Sequence, residues 1–418
     1  MYLNINQLRQ HNLSGEQTGL PCFCTANEYV LSALMGFALQ HDLPLCIEAT
    51  CNQVNQYGGY TGLTPKMFQA WVFNQAKTYG LSSDKIILGG DHLGPNPWKN
   101  LHPTEAMDKA KQLVRDYVEA GFTKIHIDAS MKCGEEGDLT FAEIAKRSAE
   151  LCSVAEKYAP DTSKLIYVIG TEVPIPGGEI EEPNVLDVTS KSSLDRTITS
   201  HKKAWESHGI MDSWGRIAAV VAQPGVDFGH SNIFTYQPEK SQSLSSHLKN
   251  YESIVFEAHS TDYQPNHSLH DLVKQHFMFL KVGPELTFRF REAIFALSEI
   301  ASEMGSEVGI DLKNTIRAAM HENPEHWEPY YSGSMSEIEF MQRYSFSDRI
   351  RYYWPTPKVA EALNKLIEFL SSNQINETLV AQNFMSYDFG DHPTNPLDLI
   401  NNHIHQSIRR YYQACGFC

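Results

Sequence analysis

The sequence predicts a (β/α)₈ barrel with a helical C-terminal extension. Three observations carry this. Between residues 19 and 305, eight short apolar runs alternate with eight stretches of helical period. The runs are continuously apolar rather than alternating, as strands buried on both faces are. No G-x-G-x-x-G follows the first run, which disfavours the doubly wound open sheet. The reading divides the chain into a barrel domain, 1–305, and an extension, 306–418.

The elements follow in order. Run 20–26 leads into a helix over 28–39. Run 43–49 ends in Glu48-Ala-Thr50. Its helix, 65–79, starts at Thr64-Pro65, with a hydroxyl at the N-cap and proline at the first helical position. Run 85–90 climbs through two glycines to Asp91-His92, then breaks at Gly94, Pro95, Asn96 and Pro97 before helix 104–120. Run 124–129 carries His126 and Asp128, with Ser130 just past it. Thr140-Phe-Ala-Glu143 reads as the capping box of helix 141–158. Run 165–170 ends Gly170-Thr-Glu172, before helix 193–208. Run 216–222 passes Gln223-Pro-Gly225 and goes on to Asp227 and His230, before helix 238–249. Run 253–258 ends Glu257-Ala-His259-Ser260, before helix 267–275. Run 277–282 carries Lys281-Val-Gly283, before helix 289–304. Beyond 305 the rhythm stops. The segment is polar and helical in pattern and is expected to pack on the barrel or on a partner.

Composition narrows the function. The 418 residues hold 34 Lys and Arg against 50 Asp and Glu, a net charge of -16. No basic run appears, which argues against nucleic acid and anionic membrane surfaces. Residues 1–19 contain no apolar core of a signal peptide, and no apolar stretch is long enough to span a bilayer. The eight cysteines are scattered, several within apolar patterns, as reduced core thiols are; a cytoplasmic setting is expected. Cys415-Gly-Phe-Cys418 has CxxC spacing but no second pair, and is read as structural. No Walker-type G-x-x-x-x-G-K-[ST] is present, which counts against a P-loop sugar kinase.

In a barrel, chemistry collects at the C-terminal strand ends. His92, His230 and His259 fall there and form a candidate three-histidine site for Zn²⁺ or another divalent metal. Asp91 and Glu172 are candidates for proton transfer, and Asp128 for proton transfer or for orienting a ligand. Structural readings stand beside these. His126 alternates with Asp128 and can simply pair with it, and Glu48 and Glu257 can be structural acids of the barrel interior. For phosphate, the candidates are Lys281, the Ser260-Thr261 pair, Arg289, Arg291, and Arg349 and Arg351 among aromatics; an ion-paired helix face accounts for each arginine equally well.

Several stretches together resemble one family. They are IEATCNQVNQYGGYTG (47–62), ILGGDHLGPN (87–96), KIHIDASM (124–131), YVIGTEVPIPGG (167–178), FEAHSTDYQ (256–264) and SDRIRYYWP (347–355). The family is the Z-type subunit of tagatose-1,6-bisphosphate aldolase (GatZ/KbaZ), and the resemblance spans nearly the whole chain. It implies a class II aldolase-like barrel in galactitol, tagatose or N-acetylgalactosamine catabolism. It also implies a partner, because Z-type chains support the activity and stability of a smaller catalytic Y-type subunit. The family's acid-plus-histidine pair and two later histidines match Asp91-His92, His230 and His259. Substrate contacts are expected from Asn27, Glu48, Asn52, Gln53, Ser260, Lys281 and Arg349. Some relatives look like metal-dependent ketose 4-epimerases, which implies an alternative: an autonomous aldolase or epimerase acting on a ketose phosphate. Two departures touch substrate detail. The family's C-S-A-H is here Cys24-Thr-Ala-Asn27, and its E-F-D-H-S-N is Asp227-Phe-Gly-His230-Ser-Asn232.

Overall fold

The structure is a computed structural model that describes residues 4–171, 186–384 and 395–417. Its strands in chain order are β1 (Leu20–Cys24), β2 (Leu45–Thr50), β3 (Ile86–Leu93), β4 (Lys124–Ile127), β5 (Ile166–Ile169), β6 (Ile217–Val221), β7 (Asp227–Phe228), β8 (Ile233–Phe234), β9 (Val255–Ala258) and β10 (Phe277–Val282). Eight of them close into a parallel barrel in the order β1-β10-β9-β6-β5-β4-β3-β2, while β7 and β8 form a small antiparallel hairpin. This is the expected (β/α)₈ barrel. Among the described strands, those of that hairpin have no counterpart in the sequence reading, because two-residue strands are too short to leave a period.

The helices of the barrel are α1 (Ile5–Leu13), α2 (Glu28–Gln40), α3 (Pro65–Tyr79), α4 (Pro103–Glu119), α5 (Phe141–Tyr158), α6 (Lys191–His208), α7 (Pro238–His247), α8 (Asn266–Lys274) and α9 (Glu285–Glu303). Thr64 and Thr140 cap α3 and α5 as their positions predict, the latter as a complete capping box. Helix α1 closes the N-terminal end: Arg9 donates to the Ile217 carbonyl, and Ile5 joins the buried cluster that includes Leu20, Cys22 and Ala218. Helix α9 starts at Glu285, four residues before the expected 289. Its cap is not local. The Asp262 carboxyl accepts from the Gly283 and Glu285 amides at 2.9 and 2.8 Å, satisfying donors that the sequence next to the helix leaves open.

Beyond the barrel lie α10 (Val308–Glu322), α11 (Met335–Tyr344), α12 (Pro357–Ser372), α13 (Glu377–Asn383) and α14 (Pro396–Ala414). Helix α14 lies against α2, α8 and α9. Tyr411 and Tyr412 meet Phe23 of β1 at ring distances of 6.3 and 5.9 Å, Tyr412 donates to the Pro44 carbonyl, and the Gly19 amide donates to the Cys415 carbonyl. The apolar side chains of this segment are continuous with the barrel's outer core.

Candidate metal centre

The site begins with an irregularity in β3. Its register against β4 runs Gly90↔Ile125 and then Leu93↔Ile127, so β3 carries one extra residue across Asp91-His92. Neighbouring strand residues normally point to opposite faces, and such a bulge re-aims them. His92 takes φ 50 there, a left-handed conformation that is costly for a side chain. Both Asp91 and His92 then face the mouth of the barrel. Two glycines make room. A Cβ on Gly89 would meet the Glu48 side chain at 2.6 Å, and one on Gly94 would lie 1.6 Å from the Asp128 carbonyl oxygen.

Three imidazoles meet at this mouth. The ring centres of His92, His126 and His259 stand 4.9, 4.8 and 5.1 Å apart. Each is buried, and each has one nitrogen against a carboxylate: His92 Nδ1 on Asp128 at 2.9 Å, His126 Nδ1 on Asp91 at 2.8 Å, His259 Nε2 on Glu257 at 3.0 Å. His126 Nδ1 also lies 3.1 Å from the His92 amide, and one nitrogen cannot accept from that amide while donating to Asp91. The shorter, charge-assisted contact sets the tautomer, so Nδ1 carries the proton and Nε2 the lone pair. His126 Nε2 is buried and meets no hydrogen-bond donor or acceptor. Ligand atoms of Asp91, His92, His126 and His259 can all lie within 4.8 Å of one another.

Beneath the imidazoles runs a buried chain of charges. Lys124, on β4, joins Glu48 at 2.7 Å and also Glu257. Lys281, on β10, joins Glu48 and, at 2.8 Å, Asp91. Four carboxylates (Glu48, Asp91, Asp128, Glu257) thus face two ammonium groups, an excess of two negative charges among the described residues when the three imidazoles are neutral. Burial pushes the Asp91 and Asp128 carboxyls up, but the imidazoles outweigh it and hold both below the usual range. Burial likewise opposes ionisation of Glu257, yet Lys124 and His259 bring it down to about 2. For His92, burial is outweighed by Asp91 and Asp128, which draw it up; for His259, burial prevails and lowers it. An orphaned imidazole nitrogen, clustered ligand atoms and an unbalanced charge of two all fit a divalent cation.

The structure rearranges the expected set. His126 pairs with Asp91, not Asp128, and it is His126 rather than His230 that completes the cluster of imidazoles. His230 sits in the turn after β7, with Nε2 3.0 Å from the Tyr330 carbonyl and its ring 5.0 Å from Tyr331. The β7–β8 hairpin carries it off the strand end toward the C-terminal segment. Asp128 orients His92. Glu48 is fully buried beneath the site, binding two lysines, in line with the reading of it as a structural acid of the barrel interior. Lys281 is committed to Glu48 and Asp91 rather than standing free for phosphate. Glu172 and Cys418 lie outside the described residues. Sequence reasoning missed Lys124, which sits inside an apolar run with no neighbouring acid to flag it.

A cavity of about 570 Å³ opens over this centre. Its walls include Asp91, His92, His259 and Lys281, and also Asn27, Asn52, Gln53, Ser260, Arg349 and His230. Asn27 caps α2 through Val30, and Gln53 accepts from the Thr50 amide. Arg289 and Arg291 take the ion-paired alternative, with Glu292 and Asp348. The volume suits a small polar metabolite.

The family described as "D-tagatose-1,6-bisphosphate aldolase subunit GatZ/KbaZ-like" matches residues 5–416. A crystal structure of a probable tagatose 6 phosphate kinase from Sinorhizobium meliloti 1021 is similar, with 40% identity and a TM-score of 0.86 over 95% of this chain and 100% of that one. Two aldolases are more distant. The YdjI aldolase from Escherichia coli K12 has 11% identity and a TM-score of 0.42 over 90% of this chain and all of that one. Fructose-bisphosphate aldolase from Campylobacter jejuni has 14% identity and a TM-score of 0.45 over 88% and 91%. At these scores neither bears on the chemistry. By the match over almost its whole length, the chain belongs to the GatZ/KbaZ-like family of D-tagatose-1,6-bisphosphate aldolase subunits.

Proposed function

We propose that this aldolase subunit holds a metal centre of its own and performs retro-aldol and aldol chemistry on a ketose phosphate, either cleaving it or inverting C4. The observation that supports this is the triad of imidazoles, each with its far nitrogen held by a carboxylate. Such pairing fixes tautomer and direction, as ligands need and as a purely structural cluster does not. His92, His126 and His259 would hold the ion, with Asp91 beside them; Zn²⁺ suits three nitrogen donors with an open position. When bound, the ion supplies Lewis-acid polarisation of a carbonyl oxygen.

The chain's own residues supply the rest. Lys281 and the imidazoles keep Asp91 ionised, so it enters the reaction as a proton acceptor. Asp91 takes the C4 hydroxyl proton while the C3–C4 electron pair moves toward the C2 carbonyl and an aldehyde forms at C4. Re-forming that bond on the other face of the aldehyde returns the proton and inverts C4. Asn52, Gln53 and Ser260 line the cavity where the sugar hydroxyls would lie.

A second reading is favoured by the family's description as a subunit: the chain assembles with a Y-type catalytic chain and supports it in the cytoplasm. The two readings are compatible. The kinase name of the similar structure finds less support here, since no Walker motif is present in this sequence.

The test is turnover of tagatose-1,6-bisphosphate by the purified chain with Zn²⁺, following both triose phosphate release and C4 epimerisation. Turnover that a chelator abolishes is expected. Turnover that appears only with a co-purified Y-type chain would overturn the autonomous site and leave the supporting role.

A further inference from the structure

We propose that the C-terminal segment builds an anchor for a phosphate monoester on Arg351, in the same cavity as the metal centre. The inference rests on the ketose phosphate reading for the identity of the ligand, but on separate residues for the site.

Ser347, Arg349, Arg351, Tyr352 and Trp354 come from beyond the barrel, yet they wall the cavity that Asp91, His92 and His259 floor. The Arg351 guanidinium is half-buried there, and its partners are neutral oxygens. It donates to the Ser347 carbonyl, to the Asp348 carbonyl at 3.2 Å and to the Tyr352 hydroxyl at 2.9 Å. Among the described residues no carboxylate is within ion-pair distance of it. The neighbouring Asp348 carboxylate is taken by Arg291 at 2.8 Å. This differs from Arg289, Arg216 and Arg147, each of which meets a glutamate. A guanidinium drawn out of water without a counter-charge is unfavourable, so an anion entering the cavity gains what the protein withholds.

The surroundings favour phosphate over a carboxylate. Tyr60 stands edge-on to Tyr352 at 4.7 Å, and Ser260, Thr61 and Ser347 add hydroxyls to the same walls. A fork of N–H donors ringed by hydroxyls matches three phosphoryl oxygens better than two carboxylate oxygens. The site also faces a metal centre of opposite demand. One end of a substrate would meet the cation while its charged end lies under the C-terminal segment.

The experiment is calorimetric titration of inorganic phosphate into metal-loaded and chelated protein, at ionic strength held constant with chloride. We expect binding in both forms. In Arg351→Gln it weakens by roughly ten- to a hundred-fold, the range for a hydrogen-bonded charge. Metal content should not change, which separates this site from the metal reading. Arg351→Lys should fall between the two, because it keeps charge and loses the fork. Equal phosphate affinity in wild type and Arg351→Gln would overturn the proposal, and so would equal competition by malonate. If Arg351→Gln does not fold, the wild type decides: phosphate should raise its melting temperature above the chloride control, and no rise would refute the anchor.

Discussion

Asp91 Oδ1 lies 2.8 Å from His126 Nδ1, so the acid that precedes one imidazole in sequence orients a different one. Its own neighbour, His92, is turned by the β3 bulge toward Asp128 at 2.9 Å. The acids and histidines of β3 and β4 are thus cross-paired. Each imidazole is held from the adjacent strand, and the pairs lock the two strand ends together.

Cross-pairing places His126 as the third corner of the proposed metal site. His126→Ala should lower bound zinc well below one ion per chain, while His230→Ala should keep it near the wild-type value. Atomic absorption on the dialysed variants measures this. Full zinc in His126→Ala, with loss in His230→Ala, would reverse the assignment.

Lys124 carries the load beneath the triad. Replacing it by Met leaves Glu48 and Glu257 short of a counter-charge in a fully buried setting. Removing one partner of a buried ion pair costs about 3–5 kcal/mol. Urea unfolding of Lys124→Met should show a loss of that order, and a loss below about 1 kcal/mol would mean that water or a local shift relieves the acids.

Asp262 couples stability to pH. Burial first, and then Glu285, raise its carboxyl from 3.8 to about 7. The folded state therefore holds this proton more tightly than the unfolded chain. The associated stability is complete below the unfolded value and is lost as pH rises through about 7. Asp262→Asn keeps an oxygen for the Gly283 and Glu285 amides and removes the titration. Between pH 6 and 8.5 the wild type should lose more stability than the variant, and parallel curves for the two would count against the assignment.

Gly94 tests the close approach of β3 to the Asp128 backbone. Ala at this position puts Cβ 1.6 Å from a carbonyl oxygen unless the loop moves. We expect a loss of about 1–3 kcal/mol, as overpacking brings, together with reduced zinc because Asp128 would move away from His92. A variant with normal stability and metal content would show that the loop shifts freely.

Much of the barrel was legible because its strands are buried on both faces and its helices are amphipathic; both leave periods that survive without neighbours. Caps formed within a few residues, at Thr64 and Thr140, were legible for the same reason. The cap of α9 was not, because Asp262 reaches it from another loop. Asp91, His92 and His259 were readable as ionisable groups at strand ends. The choice between His126 and His230 was not, since it depends on where a two-residue hairpin points a ring. Lys124 was hidden for a related reason: its partners lie on other strands, and only closure of the barrel brings them together, whereas Glu48 was legible as a structural acid of the barrel interior though its partners were not.

Helix α14 has a consequence for how the molecule is made. Phe23, on the first strand, completes its packing against Tyr411 and Tyr412, near the end of the chain. At ribosomal speeds the intervening residues take on the order of tens of seconds to emerge. Throughout that time the seam between β1 and α2 exposes aromatic surface to whatever else is in the cell. Until the last helix is released, that exposed surface favours non-native association over packing. Truncation or premature stopping before residue 396 should send it to proteolysis rather than leave a smaller working barrel.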